Sequence, residues 1–120
     1  MKKVLIVDDS SYMRIMIRKI VEKGGLYTTL EAATNSDAIE LFKTEKPDIV
    51  TLDMNMSETG GDGINMLTEM LSINPEAAIV IISAEGYENS RDECIALGAK
   101  SYIKKPFDTE TLLQTLEKYK

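Results

Sequence analysis

One stretch constrains the chain more than any other. Ile49-Val50-Thr51-Leu52 is a nearly continuous apolar run that stops on Asp53, with Pro47-Asp48 before it and Gly60-Gly61 after it. A short apolar run bounded by turn residues reads as a strand buried on both faces, which requires a sheet covered by helices on both sides. The acid at its C-terminal end then lies at the mouth of the sheet. In open α/β sheets that mouth is where ligands bind. Asp53 is therefore the first candidate functional residue.

The flanking sequence supplies the rest of such a sheet. Val4-Leu5-Ile6-Val7 is a second buried-type strand, closed by Asp8-Asp9-Ser10-Ser11, whose serines can cap a following helix. Met13, Met16, Ile17, Ile20 and Val21 share one helical face, and Gly24-Gly25 ends that helix. A more polar strand runs from Thr28 to Ala32, and Ser36 can cap a helix carrying Ala38, Ile39, Leu41 and Phe42. Beyond the Asp53 strand, Gly60, Gly61 and Gly63 make a loop, and Ile64, Leu67 and Leu71 mark a helix stopped by Pro75. Ile79-Val80-Ile81-Ile82 is a fourth strand ending on Ser83-Ala84. A short helix spans Arg91 to Leu97 and closes at Gly98; Ser101-Tyr102-Ile103 is a brief fifth strand. Asp108 caps a last helix with Leu112, Leu113, Leu116 and Tyr119 inward. The methionines at 13, 16, 66 and 70 read as core filler, and Cys94 as an inert helix thiol.

Strands alternating with helices predict a parallel α/β sheet covered on both faces. The first, third and fourth strands are the most apolar and belong in the centre; the second and fifth suit the edges. The expected order is 2-1-3-4-5 with right-handed crossovers, a flavodoxin-like, doubly wound (βα)5 sheet. Residues 1–120 form one domain, with no linker, repeat or low-complexity tract.

Composition narrows the chemistry. The net charge is −6, which argues against direct nucleic-acid binding and against adsorption to an anionic membrane. No apolar run approaches the roughly 18 residues of a membrane span, so no membrane insertion is expected. One cysteine allows no internal disulfide, which points to a reducing, cytoplasmic setting. The chain has no histidine. That excludes a Ser-His or Cys-His nucleophile pair, a histidine-ligated zinc and a phosphohistidine on this chain. Carboxylates, hydroxyls, lysine and a hard metal remain.

The strand ends bring such groups to one rim: Asp8 and Asp9 from the first, Asp53 from the third, Ser83 from the fourth and Lys105 just beyond the fifth. Taken singly, each has a plain structural explanation. An acid after a strand is commonly a helix cap, a serine there is commonly a turn residue, and a lysine is commonly a solvated surface charge. Jointly they pose an electrostatic problem. Two unit charges about 4 Å apart repel by on the order of 4 kcal/mol at an effective dielectric of 20. Either one carboxylate is protonated or a cation joins them. Oxygen ligands without His or Cys suit a hard ion such as Mg²⁺, which keeps several waters and leaves room for a phosphoryl group. Lys105 and Ser83 complete a cradle in which Asp53 can act as the nucleophile of phosphoryl transfer.

With these residues in view the chain resembles the receiver domain of two-component response regulators, and most of all its single-domain chemotaxis members. Val7-Asp8-Asp9-Ser10 followed by Met13-Arg14, Asp53, Ser83-Ala84, Tyr102 and Lys105-Pro106-Phe107 carry the resemblance over the whole chain. It implies that Asp53 is the phosphoacceptor, with catalytic help from Lys105 and Ser83. It implies Mg²⁺ held by Asp9, Asp53 and the Asn55 backbone carbonyl, with Asp8 acting through water. Ser83 and Tyr102 become switch residues, and Asn55 and Glu85 flank the path of the hydrolytic water. The Lys105-Pro106 bond is often cis in that family. Ser57 and Gly60-Gly61 depart from its usual proline and Asn-Gly or Asp-Gly turn, which bears on the loop rather than on the phosphoacceptor.

The expected partners are a histidine kinase and a downstream protein target, met through the fourth helix, fifth strand and fifth helix. The chain stops directly after the last helix, so output is expected through protein contact by a monomer that catalyses only its own phosphorylation and dephosphorylation. Three alternatives follow: a phosphorelay intermediate, the excised receiver of a DNA-binding regulator, or an aspartate-nucleophile phosphatase of haloacid dehalogenase type. The last uses an Asp-x-Asp motif, where this chain has Asn55 as the second residue. A flavin carrier of similar fold is opposed by Asp8-Asp9, which would repel the cofactor's phosphate.

Overall fold

The computed structural model describes residues 2–54, 63–84 and 89–119. The elements alternate strictly: β1 (Lys2–Val7), α1 (Ser11–Glu22), β2 (Tyr27–Ala32), α2 (Asn35–Glu45), β3 (Ile49–Asp53), α3 (Gly63–Ile73), β4 (Ala78–Ser83), α4 (Asn89–Leu97), β5 (Ser101–Lys104) and α5 (Thr109–Glu117). All strand pairs are parallel and the order is β2-β1-β3-β4-β5, the flavodoxin-like arrangement. Burial explains that order. Every residue of β3 and β4 is buried, whereas β2 and β5 each expose or half-expose most of their residues. A strand with both faces dry must be central, and the polar ones take the edges.

Strand alternation divides the core into two layers. Ile49, Val80, Ile82 and Ile103 meet Ile17 and Val21 of α1 and Leu112 and Leu116 of α5. Val50, Leu52, Ile79 and Ile81 meet Phe42 of α2, Met66, Leu67 and Met70 of α3, and Cys94 of α4. Each fully buried Leu or Ile contributes roughly 1.5–3 kcal/mol. Met66 and Met70 are core, while Met13 and Met16 are half-buried at the α1 edge. Among the described residues, no helix is long and apolar enough to cross a membrane.

Several boundaries differ from the sequence reading. α2 is capped by Thr34, not Ser36: its Oγ1 accepts the Asp37 N–H at 3.1 Å, and the helix begins before Ser36 is reached. β2 starts at Tyr27, whose ring is buried despite following exposed Leu26. α4 begins at Asn89 rather than Arg91. The caps at Ser10 and Asp108 form where the sequence placed them, with Met13 and Thr111 N–H as donors. Gly98 ends α4 at φ +123°, a conformation that needs glycine, and there its N–H reaches the Cys94 and Ile95 carbonyls.

One buried group in the central strand is unmatched. Thr51 is 1% exposed and sits between Ile6 and Val80 in the ladder. Its Oγ1 has no hydrogen-bond partner among the described residues. A buried unsatisfied hydroxyl costs about 1–3 kcal/mol, and an apolar group of the same shape removes that cost. Thr51→Val is therefore expected to raise the thermal midpoint by a few degrees, measured by differential scanning calorimetry; a lowered midpoint would show that the hydroxyl is satisfied.

Candidate functional site

The acidic end of the sheet is assembled from main-chain hydrogen bonds outward. Asp8 lies one residue past β1, and its N–H donates to the Ala32 carbonyl at 3.1 Å, extending the β1–β2 ladder. Its Oδ1 accepts the Ser10 N–H at 2.9 Å, and Ser10 in turn caps α1. Its carbonyl accepts Arg14 Nη1 at 2.8 Å. Arg14 also donates Nε to Glu31 Oε1 at 3.2 Å, and Arg18 holds the other Glu31 oxygen at 2.9 Å. Asp53 closes β3 opposite Ile82, and the next N–H, that of Met54, donates to the Ile82 carbonyl at 3.0 Å.

Asp8 and Asp53 are 2% and 4% exposed, so neither charge is well hydrated. Asp9 is more open. One carboxylate oxygen from each of the three lies within 4.8 Å of the others. Lys105 answers from the far side of the sheet. Its N–H donates to the Ser83 carbonyl at 2.6 Å, which anchors its backbone to β4. Its Nζ then reaches Asp53 Oδ1 at 3.3 Å and Asp8 Oδ2 at 3.7 Å. The Lys105-Pro106 peptide is cis.

One ammonium does not offset three carboxylates. Burial pushes the Asp8 carboxyl above its ordinary range; the charges of Asp53 and Asp9 add to this, while the Ser10 N–H and Lys105 oppose it. The donor set contains oxygen alone and is short of positive charge, so it fits a hard divalent ion, with Asp8, Asp9 and Asp53 as the residues that would hold it.

The structure thus brings together Asp8, Asp9, Asp53 and Lys105. Ser83 is fully buried at the end of β4, with its hydroxyl donating to the Ala84 carbonyl at 3.4 Å. Tyr102 pairs with Ile81, and Ser83 pairs with Lys104. By strand alternation Ser83 and Tyr102 share one face of the sheet, that of α2, α3 and α4, against which Tyr102 packs half-buried. Asn55 and Glu85, and the departures at Ser57 and Gly60-Gly61, lie outside the described residues.

Two contributors were not singled out for these roles in the sequence. Arg14 braces the Asp8 main chain; its available signal was the pairing of Arg14 and Arg18, one helical turn apart, with an acid inside a strand. Cys94, read as inert, is buried with its Sγ 3.9 Å from Met54 Sδ, next to Asp53 in the chain. Burial raises its thiol pKa, and the Glu93 charge adds to this.

The raised Asp8 value has a consequence of definite sign. A carboxyl that binds its proton more tightly when folded loses stability as pH rises above its ordinary value near 3.8, and that loss persists at neutral pH. Asp8→Asn, which cannot ionise, is expected to be more stable than the unsubstituted chain at pH 7.5 without divalent ions. The advantage should fade as pH falls toward 4. Urea denaturation across that range tests this; an advantage that grows on acidification would contradict it.

The chain was compared with known proteins. The model of the response regulator receiver domain matches residues 4–117. The chemotaxis protein CheY of Thermotoga maritima is 41% identical over 117 residues, covering 98% of this chain and 96% of that protein. Sporulation initiation phosphotransferase F of Bacillus subtilis is 36% identical over 98% of this chain and 93% of its own length. Among solved structures, a response regulator receiver domain protein from Clostridium thermocellum superposes with a TM-score of 0.92 at 25% identity, covering 99% of this chain and 94% of that one. The parallel order, the acidic cluster facing a lysine and these matches agree: the chain belongs to the response regulator receiver domain family.

Proposed function

We propose that this receiver accepts a phosphoryl group on Asp53 from the phosphohistidine of a kinase, and that the resulting acyl phosphate alters its binding to a protein partner. The observation that carries this reading is the convergence of buried Asp53 with Asp8, Asp9 and Lys105 at the C-terminal rim of the sheet. In the transfer an Asp53 oxygen forms the new bond to phosphorus as the phosphorus–nitrogen bond of the donor breaks. The leaving imidazole takes up a proton. Lys105, held by the Ser83 carbonyl, offers its ammonium to the negative charge at the reacting centre. Mg²⁺, when bound by the acids, would supply further charge neutralisation. The chemistry is confined to the protein's own phosphorylation and dephosphorylation, with Asn55 and Glu85 tuning the second.

Output follows the shared face of Ser83 and Tyr102. A phosphoryl group on Asp53 presents strong acceptors to the Ser83 hydroxyl. If Ser83 moves toward them, the space it leaves on that face is open to the Tyr102 ring on the short edge strand β5. The surface beyond is lined by Arg91 and Ile95 of α4, Lys100 and Tyr102, and Thr115 and Lys118 at the α5 end. A protein target docking there is consistent with a role in chemotaxis, as the relatives named CheY suggest. The relative named as a sporulation phosphotransferase favours the second reading, a phosphorelay intermediate that passes the phosphoryl group on.

Incubation with Mg²⁺ and acetyl phosphate is expected to give one phosphoryl adduct by intact mass, mapping to Asp53, and Asp53→Asn should abolish it while remaining folded. A full adduct on that variant would place the acceptor elsewhere. Ser83→Ala and Tyr102→Ala should still accept phosphate but lose the change in amide exchange that a beryllofluoride mimic produces on Arg91–Ala99 and Thr111–Lys118. Retention of the full change in both variants would exclude this route.

A further inference from the structure

Arg14 is placed unlike a surface arginine. Its side chain is 17% exposed, and within the described residues its hydrogen bonds run to two fixed points: the Asp8 carbonyl at 2.8 Å and Glu31 at 3.2 Å. Glu31 is itself set by the β1–β2 ladder, opposite Ile6. The Asp8 carbonyl belongs to the peptide unit that joins Asp8 to Asp9. Fixing that oxygen fixes the plane of the unit, and with it the direction in which Asp9 leaves the strand end. The Asp8 N–H is already committed to Ala32 and its carboxylate to Ser10. Arg14 therefore holds a main-chain polar group of the peptide between two acids that must converge on one point.

We propose that Arg14, braced by Glu31, is a positioning residue for a divalent cation: its hydrogen bonds go to the Asp8 carbonyl and to Glu31, and through that carbonyl it sets how Asp8 and Asp9 are spread. This rests on the reading that Asp8, Asp9 and Asp53 take up such an ion. Arginine suits the task because its planar guanidinium holds Nη1 and Nε at a fixed spacing and direction toward two acceptors; the donors of a lysine ammonium all sit on one rotatable nitrogen and lack that fixed two-point geometry. The sign of the effect separates positioning from simple electrostatics. As a plain positive charge Arg14 repels a nearby cation, so loss of its charge alone would tighten binding. Loss of its geometry loosens binding. Arg14→Lys keeps the charge and removes the two-point geometry, and Glu31→Gln keeps the shape of the brace and removes its charge.

The test is Mg²⁺ binding by isothermal titration calorimetry at 25 °C on the whole chain, with the thermal midpoint of the metal-free protein measured alongside. Arg14→Lys is expected to bind Mg²⁺ about tenfold more weakly, as is usual when a partner of metal ligands is lost. Glu31→Gln should weaken it in the same direction, but loss of a nearby negative charge has that sign too, so the charge-conserving Arg14→Lys is the deciding variant. Because the two act as one unit, the double variant should be no weaker than the weaker single variant. Unchanged or tighter Mg²⁺ binding by Arg14→Lys would overturn the proposal, including when its metal-free midpoint falls, since that split marks a purely structural contact. Additive losses in the double variant would overturn the brace. No Mg²⁺ binding by the unsubstituted chain would instead overturn the reading of the acidic cluster itself.

Discussion

Crowded negative charge at the end of a dry sheet is the constraint on which the rest of this protein depends. The central strands are buried along their full length, so their acids emerge where the apolar packing releases them. That places Asp8 and Asp53 in a poorly hydrated rim with Asp9 beside them. Repulsion among them is compensated only in part by Lys105. A site in this condition gains most from a ligand that adds positive charge.

The scaffold bears this arrangement because the two buried acids are anchored through the main chain. Asp8 hangs from β2 and the first turn of α1; Asp53 sits between β1 and β4, with Met54 continuing the ladder by one bond. Lys105 is fixed by Ser83 before its side chain turns inward. Rigid strands deliver the groups, and hydrogen bonds at the strand ends decide their final directions. The cost of charge at the rim is set against two layers of apolar side chains beneath it.

Much of this was legible in the sequence. Apolar runs identified β1, β3 and β4, and their relative polarity separated central strands from edges; the order within the centre came from the doubly wound (βα)5 pattern, not from polarity. The rim residues followed from counting to the end of each run. What sequence periodicity does not carry is the pairing of side chains across elements. Arg14 and Glu31 are separated by the rest of α1, a turn and most of β2, and only the packing of α1 beside β2 makes them neighbours. Thr34 displaced Ser36 as a cap because both are good caps, and the choice is made by where the chain leaves β2. Tyr27 lay just outside the strand read from Thr28, yet it opens β2 and its ring is buried.

The contact between Cys94 and Met54 has a practical consequence. Cys94 is the sole cysteine of the chain and is wholly buried on α4, with a thiol made less acidic by its surroundings. Such a sulfur meets a water-borne reagent only in moments when α4 lifts from the sheet. Its labelling rate therefore counts those openings, one helix at a time, without any introduced probe. Since its neighbour Met54 is bonded along the chain to Asp53, the protein carries a native chemical clock for the motion of α4, one residue removed from its candidate phosphoacceptor.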